Sequence, residues 1–224
     1  MNQVTHYLNS SIGRKQIVAA TGLILILFVT GHLAGNLFIY GGEDAFNGYA
    51  KKMASLRPAL NFVEAGLLFI FIVHMWVTTL LVLDNIKARG TQGYSKEKAV
   101  GNRSWATRLM PYTGTAILVF VIFHLLDFTF VDHHGPRSIL SDGKSYGLYG
   151  VVLNSFNDVL HSALYILAVI CVGLHLSHGV ESFFQTFGLN DSKCSACIKT
   201  FSHFFALVVT VGYCSIPIFV LLFL

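Results

Sequence analysis

Five stretches of this chain are too long and too apolar to belong to a water-soluble fold: residues 17–40, 60–83, 109–131, 159–184 and 201–224, here segments I to V. About 20 consecutive apolar residues cross the hydrocarbon of a bilayer as a helix. Inside lipid a chain must satisfy its own backbone, which a single helix does unaided. The sequence therefore predicts an all-α membrane protein of five transmembrane helices, with segments I–IV as a four-helix bundle and V alongside, in one domain over 1–224. Composition agrees: 54% of the residues are hydrophobic and 12% charged, about half the charge of a soluble domain. No stretch is left for a soluble domain, so any large water-soluble chemistry has to sit on partner chains. Residues 1–16 are polar and segment I is too long for a secretion signal, so a cleaved leader is not expected.

The formal net charge of +4 is less informative than its distribution. Arg14 and Lys15 precede segment I. Lys87, Arg89, Lys96, Lys98, Arg103 and Arg108 lie between II and III, and Lys193 and Lys199 between IV and V. The alternate loops hold only Lys51, Lys52, Arg57, Arg137 and Lys144. Basic residues concentrate on the cytoplasmic side, which puts the N-terminus in the cytoplasm and the C-terminus outside. The pattern suits orientation and partner docking, above all on the polar 84–108 loop, and does not suggest nucleic acid. Between I and II the piece DAFNGYAKKMASL reads as a short helix at the outer interface. Pro58 and Pro111 suit first turns of II and III, Pro217 should bend V, and the III–IV connection reads as a long Gly- and Ser-containing loop.

Segments I to IV each carry a histidine at interior depth: His32, His74, His124 and His175. An ionisable side chain there is costly and points to function. At about 1.5 Å per residue, His32 and His124 fall roughly 6 Å to the outer side of their midpoints. His74 and His175, on segments running inward, fall to the inner side. Two layers result, separated by roughly 10 Å of depth, each built from helices that run the same way and sit diagonally in an antiparallel bundle. Two diagonal imidazoles around a flat macrocycle make a bis-histidine haem, so the reading is two haems b. His178, three residues after His175, competes for the fourth place. It lies beside Glu181 and nearer water, and His175 is preferred. His161, His203, His6, His133 and His134 read as interfacial or loop residues.

A short repeat links segments I and III. Thr21-Gly22, Phe28-Val29 and His32-Leu33 recur as Thr113-Gly114, Phe120-Val121 and His124-Leu125 at one common offset. Gly22 and Gly114 each stand ten residues before an outer histidine, about 15 Å along the axis, where a glycine leaves room for the inner macrocycle. Close helix packing is the competing reading for both glycines. Cys171 and Cys214 read as small core residues. Cys194 and Cys197 form a lone CxxC, a weak signal for a metal or redox site, and the absence of CxxCH excludes covalently attached haem.

The histidines of segments I–IV, together with the stretch GLHLSHGVESFFQTFGL that contains His175, resemble the dihaem cytochrome b membrane-anchor subunit of succinate dehydrogenases and quinol:fumarate reductases. The resemblance covers nearly the whole chain. It implies His32 and His124 as iron ligands of a distal haem, and His74 and His175 as those of a proximal one. It also implies flavoprotein and iron–sulfur subunits on the cytoplasmic face of a bacterial inner membrane, menaquinone or menaquinol as substrate, and a possible dimer of complexes. In some fumarate reductases of this kind a glutamate tied to proton movement stands two residues before the segment IV ligand, where this chain has Gly173.

The expected function is electron transfer between menaquinol and the iron–sulfur subunit through the two haems, as one subunit of the oxidoreductase. The alternatives are a dihaem anchor of another respiratory oxidoreductase, or a haem-free proton-coupled transporter. Quinol oxidation releases protons and needs an acceptor near the outer haem. Glu64, ten residues before His74, and Asp127, one turn beyond His124, both reach that level. An ion pair to Lys51, Lys52 or Arg57 is the competing reading of these carboxylates. Glu64 is the first choice, because Asp127 is closer to the membrane edge.

Overall fold

The computed structural model describes residues 6–8, 10–89 and 105–223. The named α-helices among the described residues are α1 (Ser11–Asn36), α2 (Gly42–Ser55), α3 (Ala59–Arg89), α4 (Trp105–Phe128), α5 (Gly147–Phe156), α6 (Val159–Thr186) and α7 (Ser195–Phe223). Five of them, α1, α3, α4, α6 and α7, are long and apolar enough to cross a membrane. Side chains cap the starts of α1 and α6. Ser10 Oγ accepts from Gly13 N at 3.1 Å, and the Asp158 carboxylate accepts from His161 N at 2.7 Å, each satisfying one of the unpaired N–H groups of a first turn. Within the spans, several hydroxyls bond back to the preceding turn, as Thr30 does to Ile26 O at 2.8 Å, which satisfies them without water.

The packing order of the bundle is α3–α1–α6–α4, with α7 against α6. In that order α1 lies diagonal to α4, and α3 diagonal to α6. Arg14 and Asp84 join the start of α1 to the end of α3 through an ion pair of 2.5 Å. Much apolar surface faces outward, including Phe62, Phe69 and Trp76 on α3; lipid removes that surface from water as a core would. The internal apolar contacts form two groups. Leu176, Ala206 and Val209 bind α6 to α7, with Ile26 and Val29 of α1 packed beside them. Ile39, Phe46, Val152, Leu153, Phe156, Tyr165, Ile216 and Val220 form the larger group at one end of the bundle.

That end carries a cap the sequence expects only in part. The helix expected between I and II is α2, yet segment I does not run as one α-helix to Tyr40. α1 stops at Asn36, whose side chain donates to His32 O at 2.8 Å. A 3-10 turn, Leu37–Gly41, then leads to Gly42, at φ 81. The apolar LFIY simply carries the hydropathy signal past the helix end. The III–IV connection contains a second cap helix, α5, where the sequence suggests a loop. It is too short to span a bilayer, and it is held by burying Val151, Val152, Leu153 and Phe156. Asn47 ties α2 to it, donating to Tyr146 O at 2.9 Å and accepting from Tyr149 N at 3.1 Å. Pro111 is not in a first turn: α4 starts at Trp105, so the proline lies inside the helix and removes one backbone bond there. Residues 105–110 include good helix formers, which extend the helix upstream of it. Pro58 directly precedes α3, and Cys197 lies within the first turn of α7.

Candidate functional site

The diagonal pair of α1 and α4 meets beneath the cap. The rings of His32 and His124 stand 5.7 Å apart, centroid to centroid, at 86°. Each is backed by the phenylalanine four residues earlier on its own helix, Phe28 at 5.4 Å and Phe120 at 5.7 Å, as the i, i+4 spacing dictates. Tyr213 of α7 approaches His32 at 6.2 Å and donates its hydroxyl to Val29 O at 2.7 Å. His124 Nδ1 is buried without a hydrogen-bond partner among the described residues. Such an atom costs about 1–3 kcal/mol, so this ring lacks the partner that a buried imidazole normally has.

The diagonal pair of α3 and α6 lies nearer the N-terminal end of the bundle. His74 Nδ1 sits 3.0 Å from Thr21 Oγ1 on α1, and His175 Nδ1 sits 3.1 Å from Thr113 Oγ1 on α4. The adjacent glycines are equally close. A Cβ on Gly22 would stand 3.4 Å from His74 Cε1, and one on Gly114 3.6 Å from His175 Cε1. Gly22 and Gly114 thus face the imidazoles of this second pair. His74 and His175 are within electrostatic range of one another, and His178 is within range of both His175 and Glu181.

The two candidate carboxylates have different settings. Glu64, on the first turns of α3, pairs with Arg57 at 2.9 Å, and both side chains are 49% exposed. Asp127 belongs to a cluster beside His124. Tyr165 donates to its Oδ2 at 2.7 Å, His161 Nε2 stands 3.4 Å from the same oxygen, and Arg137 stands 3.5 Å from Oδ1. Tyr165 is stacked on His161 at 4.7 Å and lies 6.2 Å from the His124 ring. Arg137 also donates to Ser155 of α5 at 2.7 Å. Sequence reasoning missed Tyr165, His161 and Arg137 as a group with Asp127. His161 and Tyr165 form one face of α6 by their i, i+4 spacing, but only the cap brings Arg137 to them.

No family model matches the chain, and no solved structure matches it. The chain is 26% identical over 188 residues to the succinate dehydrogenase cytochrome b558 subunit of Bacillus subtilis (strain 168), covering 84% of this chain and 85% of that protein. That similarity supports the resemblance of the chain to the cytochrome b membrane anchors of succinate dehydrogenases and fumarate reductases. The histidines of the bundle are a donor set that suits the haem of a cytochrome b anchor. His32 and His124 meet edge to face between α1 and α4, and two such imidazole nitrogens would hold a haem iron.

Two further positions of the chain follow from packing. Gly173 is buried against α7: a Cβ there would overlap the hydroxyl of Thr210, which bonds to Ala206 O at 2.7 Å. The space a glutamate would need is occupied by a neighbouring helix. Gly173→Ala is expected to destabilise the chain by about 1–3 kcal/mol through overpacking, seen as a lower Tm in detergent. Gly173→Glu should prevent α6 and α7 from packing at all, so normal accumulation of that variant would contradict this account. Cys194 and Cys197 are both exposed. The Asp191 carboxylate, hydrogen-bonded to the Cys194 thiol, pushes its pKa up, the wrong direction for a thiolate nucleophile or ligand. Among the described residues no cluster of three or more His, Cys, Asp or Glu side chains could hold a metal ion.

Proposed function

We propose that this chain is the membrane-anchor subunit of a succinate:quinone oxidoreductase, either a quinol:fumarate reductase or a succinate dehydrogenase. It would carry electrons between menaquinone or menaquinol and an iron–sulfur subunit through two haems b. The observation that carries the proposal is the pairing of histidines on diagonal helices in two layers, His32 with His124 and His74 with His175, each of the latter seated on a Thr-Gly pair. The name of the Bacillus relative supports the anchor role. Bound, the haems supply one-electron transfer. The protein fixes ring orientation, excludes water and holds the two layers apart. The charge distribution supports an N-terminus in the cytoplasm, which makes the capped end the outer one. A reduced-minus-oxidised spectrum with a pyridine haemochrome assay tests the reading. Two low-spin haems b per chain are expected, and one or none would overturn it.

The cytoplasmic partners, a flavoprotein and an iron–sulfur subunit, would dock on the N-terminal end of the bundle. Their surface would be the 84–108 region expected as a loop, whose Lys87 and Arg89 lie at the end of α3, with Lys96, Lys98 and Arg103, which lie outside the described residues. Cross-linking from Lys87 is expected to capture the iron–sulfur subunit. Capture from Lys51, Lys52 or Lys144 alone would contradict both the docking and the orientation.

A further inference from the structure

The repeat shared by α1 and α4 divides its labour between the two layers. Its histidines, His32 and His124, meet at the capped end. Its threonines, eleven residues earlier on the same helices, reach histidines of the other layer on the neighbouring helices, His74 and His175. The two halves match: α1 with α3, and α4 with α6, are the same helix pair built twice.

The hydroxyls settle which way these hydrogen bonds run. A hydroxyl has one hydrogen and two acceptor sites. Thr21 Oγ1 lies 2.7 Å from Ile17 O and 3.1 Å from Val18 O. Thr113 Oγ1 lies 3.1 Å from Leu109 O and 3.2 Å from Met110 O. Backbone carbonyls only accept, so in each case the hydroxyl hydrogen goes to the helix and a lone pair faces the imidazole. For His74 the Val18 carbonyl, again only an acceptor, faces the same ring. Every atom is satisfied when Nδ1 carries the proton and donates it to the threonine. That tautomer leaves the Nε2 lone pair of His74 and of His175 available to a metal.

We propose that Thr21 and Thr113 are positioning residues for the inner layer: each accepts the Nδ1–H of the neighbouring helix's histidine, fixing its tautomer and strengthening Nε2 as an iron ligand. This rests on the bis-histidine haem reading and adds residues to it. A hydrogen bond accepted from a ligating imidazole raises its basicity, which favours ferric over ferrous iron and lowers the midpoint potential. The His32/His124 layer has no such pair, since His124 Nδ1 lacks a partner among the described residues.

The test uses Thr21→Val and Thr113→Val, which keep the side-chain shape and remove the hydroxyl, with Thr21→Ser and Thr113→Ser as the rescuing variants, all in the assembled membrane complex. Potentiometric titration and electron paramagnetic resonance are read for each haem, assigned with His32→Ala and His74→Ala. Either valine variant should raise the potential of the His74/His175 haem and move its low-spin signal, leaving the other haem unchanged. The serine variants should match the parent. Haem affinity at that site should fall about ten-fold or more in the valine variants. Loss of the inner haem with valine but not with serine therefore also supports the proposal. Unchanged potential and signal with valine, a change at the His32/His124 haem instead, or failure of serine to rescue would overturn it. A parent complex without haem would instead fail the reading on which the proposal rests.

Discussion

Alanine at His32 or at His124 is expected to remove one haem and spare the other, and alanine at His74 or at His175 to remove the second. His32 and His124 share one ring-to-ring contact, while His74 and His175 are each seated on a Thr-Gly pair of the neighbouring helix. A bis-histidine iron that loses one imidazole keeps no low-spin coordination, so each single substitution should cost one haem per chain and the double substitution within a layer no more. Substitution across layers should cost both. The measurements are haem per chain and the reduced spectrum. His178→Ala should retain two haems. If His178→Ala lost one while His175→Ala kept both, the fourth ligand would be His178.

Asparagine at Asp127 is expected to lower quinol-linked turnover by on the order of 10²-fold or more, the usual worth of a positioned proton acceptor. Both haems and dye-linked succinate or fumarate activity should persist. Oxidation of a quinol requires its protons to be taken up at the site, and on the proposed reading Asp127, with three groups around it, would accept them. Tyr165 and His161 address one carboxylate oxygen, and Arg137 the other. Asparagine keeps an acceptor for Tyr165 and removes the charge, so a chemical loss separates from a structural one. Glu64 was the stronger candidate by depth alone. Its pairing with Arg57 at an exposed helix end moves the preference to Asp127, and Glu64→Gln decides between them. Near-normal quinol turnover in D127N with strong loss in E64Q would return the site to Glu64.

The sequence alone determined the membrane class and the five spans, because hydrocarbon imposes a length and an apolarity that 20-residue runs meet or fail. It also sorted the histidines by depth, because rise per residue converts position into height along a span. The repeat of Thr-Gly, Phe-Val and His-Leu was legible as a pattern, though not as a division of labour. Its threonines act on other helices, and no spacing within α1 or α4 reports which neighbour stands opposite. Tertiary structure decided the rest. α5 forms because the cap buries Val151 and Phe156, not because its local signal is strong. Arg137 and Asp127 lie ten residues apart across a loop whose path only the cap fixes. Gly173 is glycine because Thr210 of a different helix occupies the space beside it, a fact that exists only once α6 and α7 have packed.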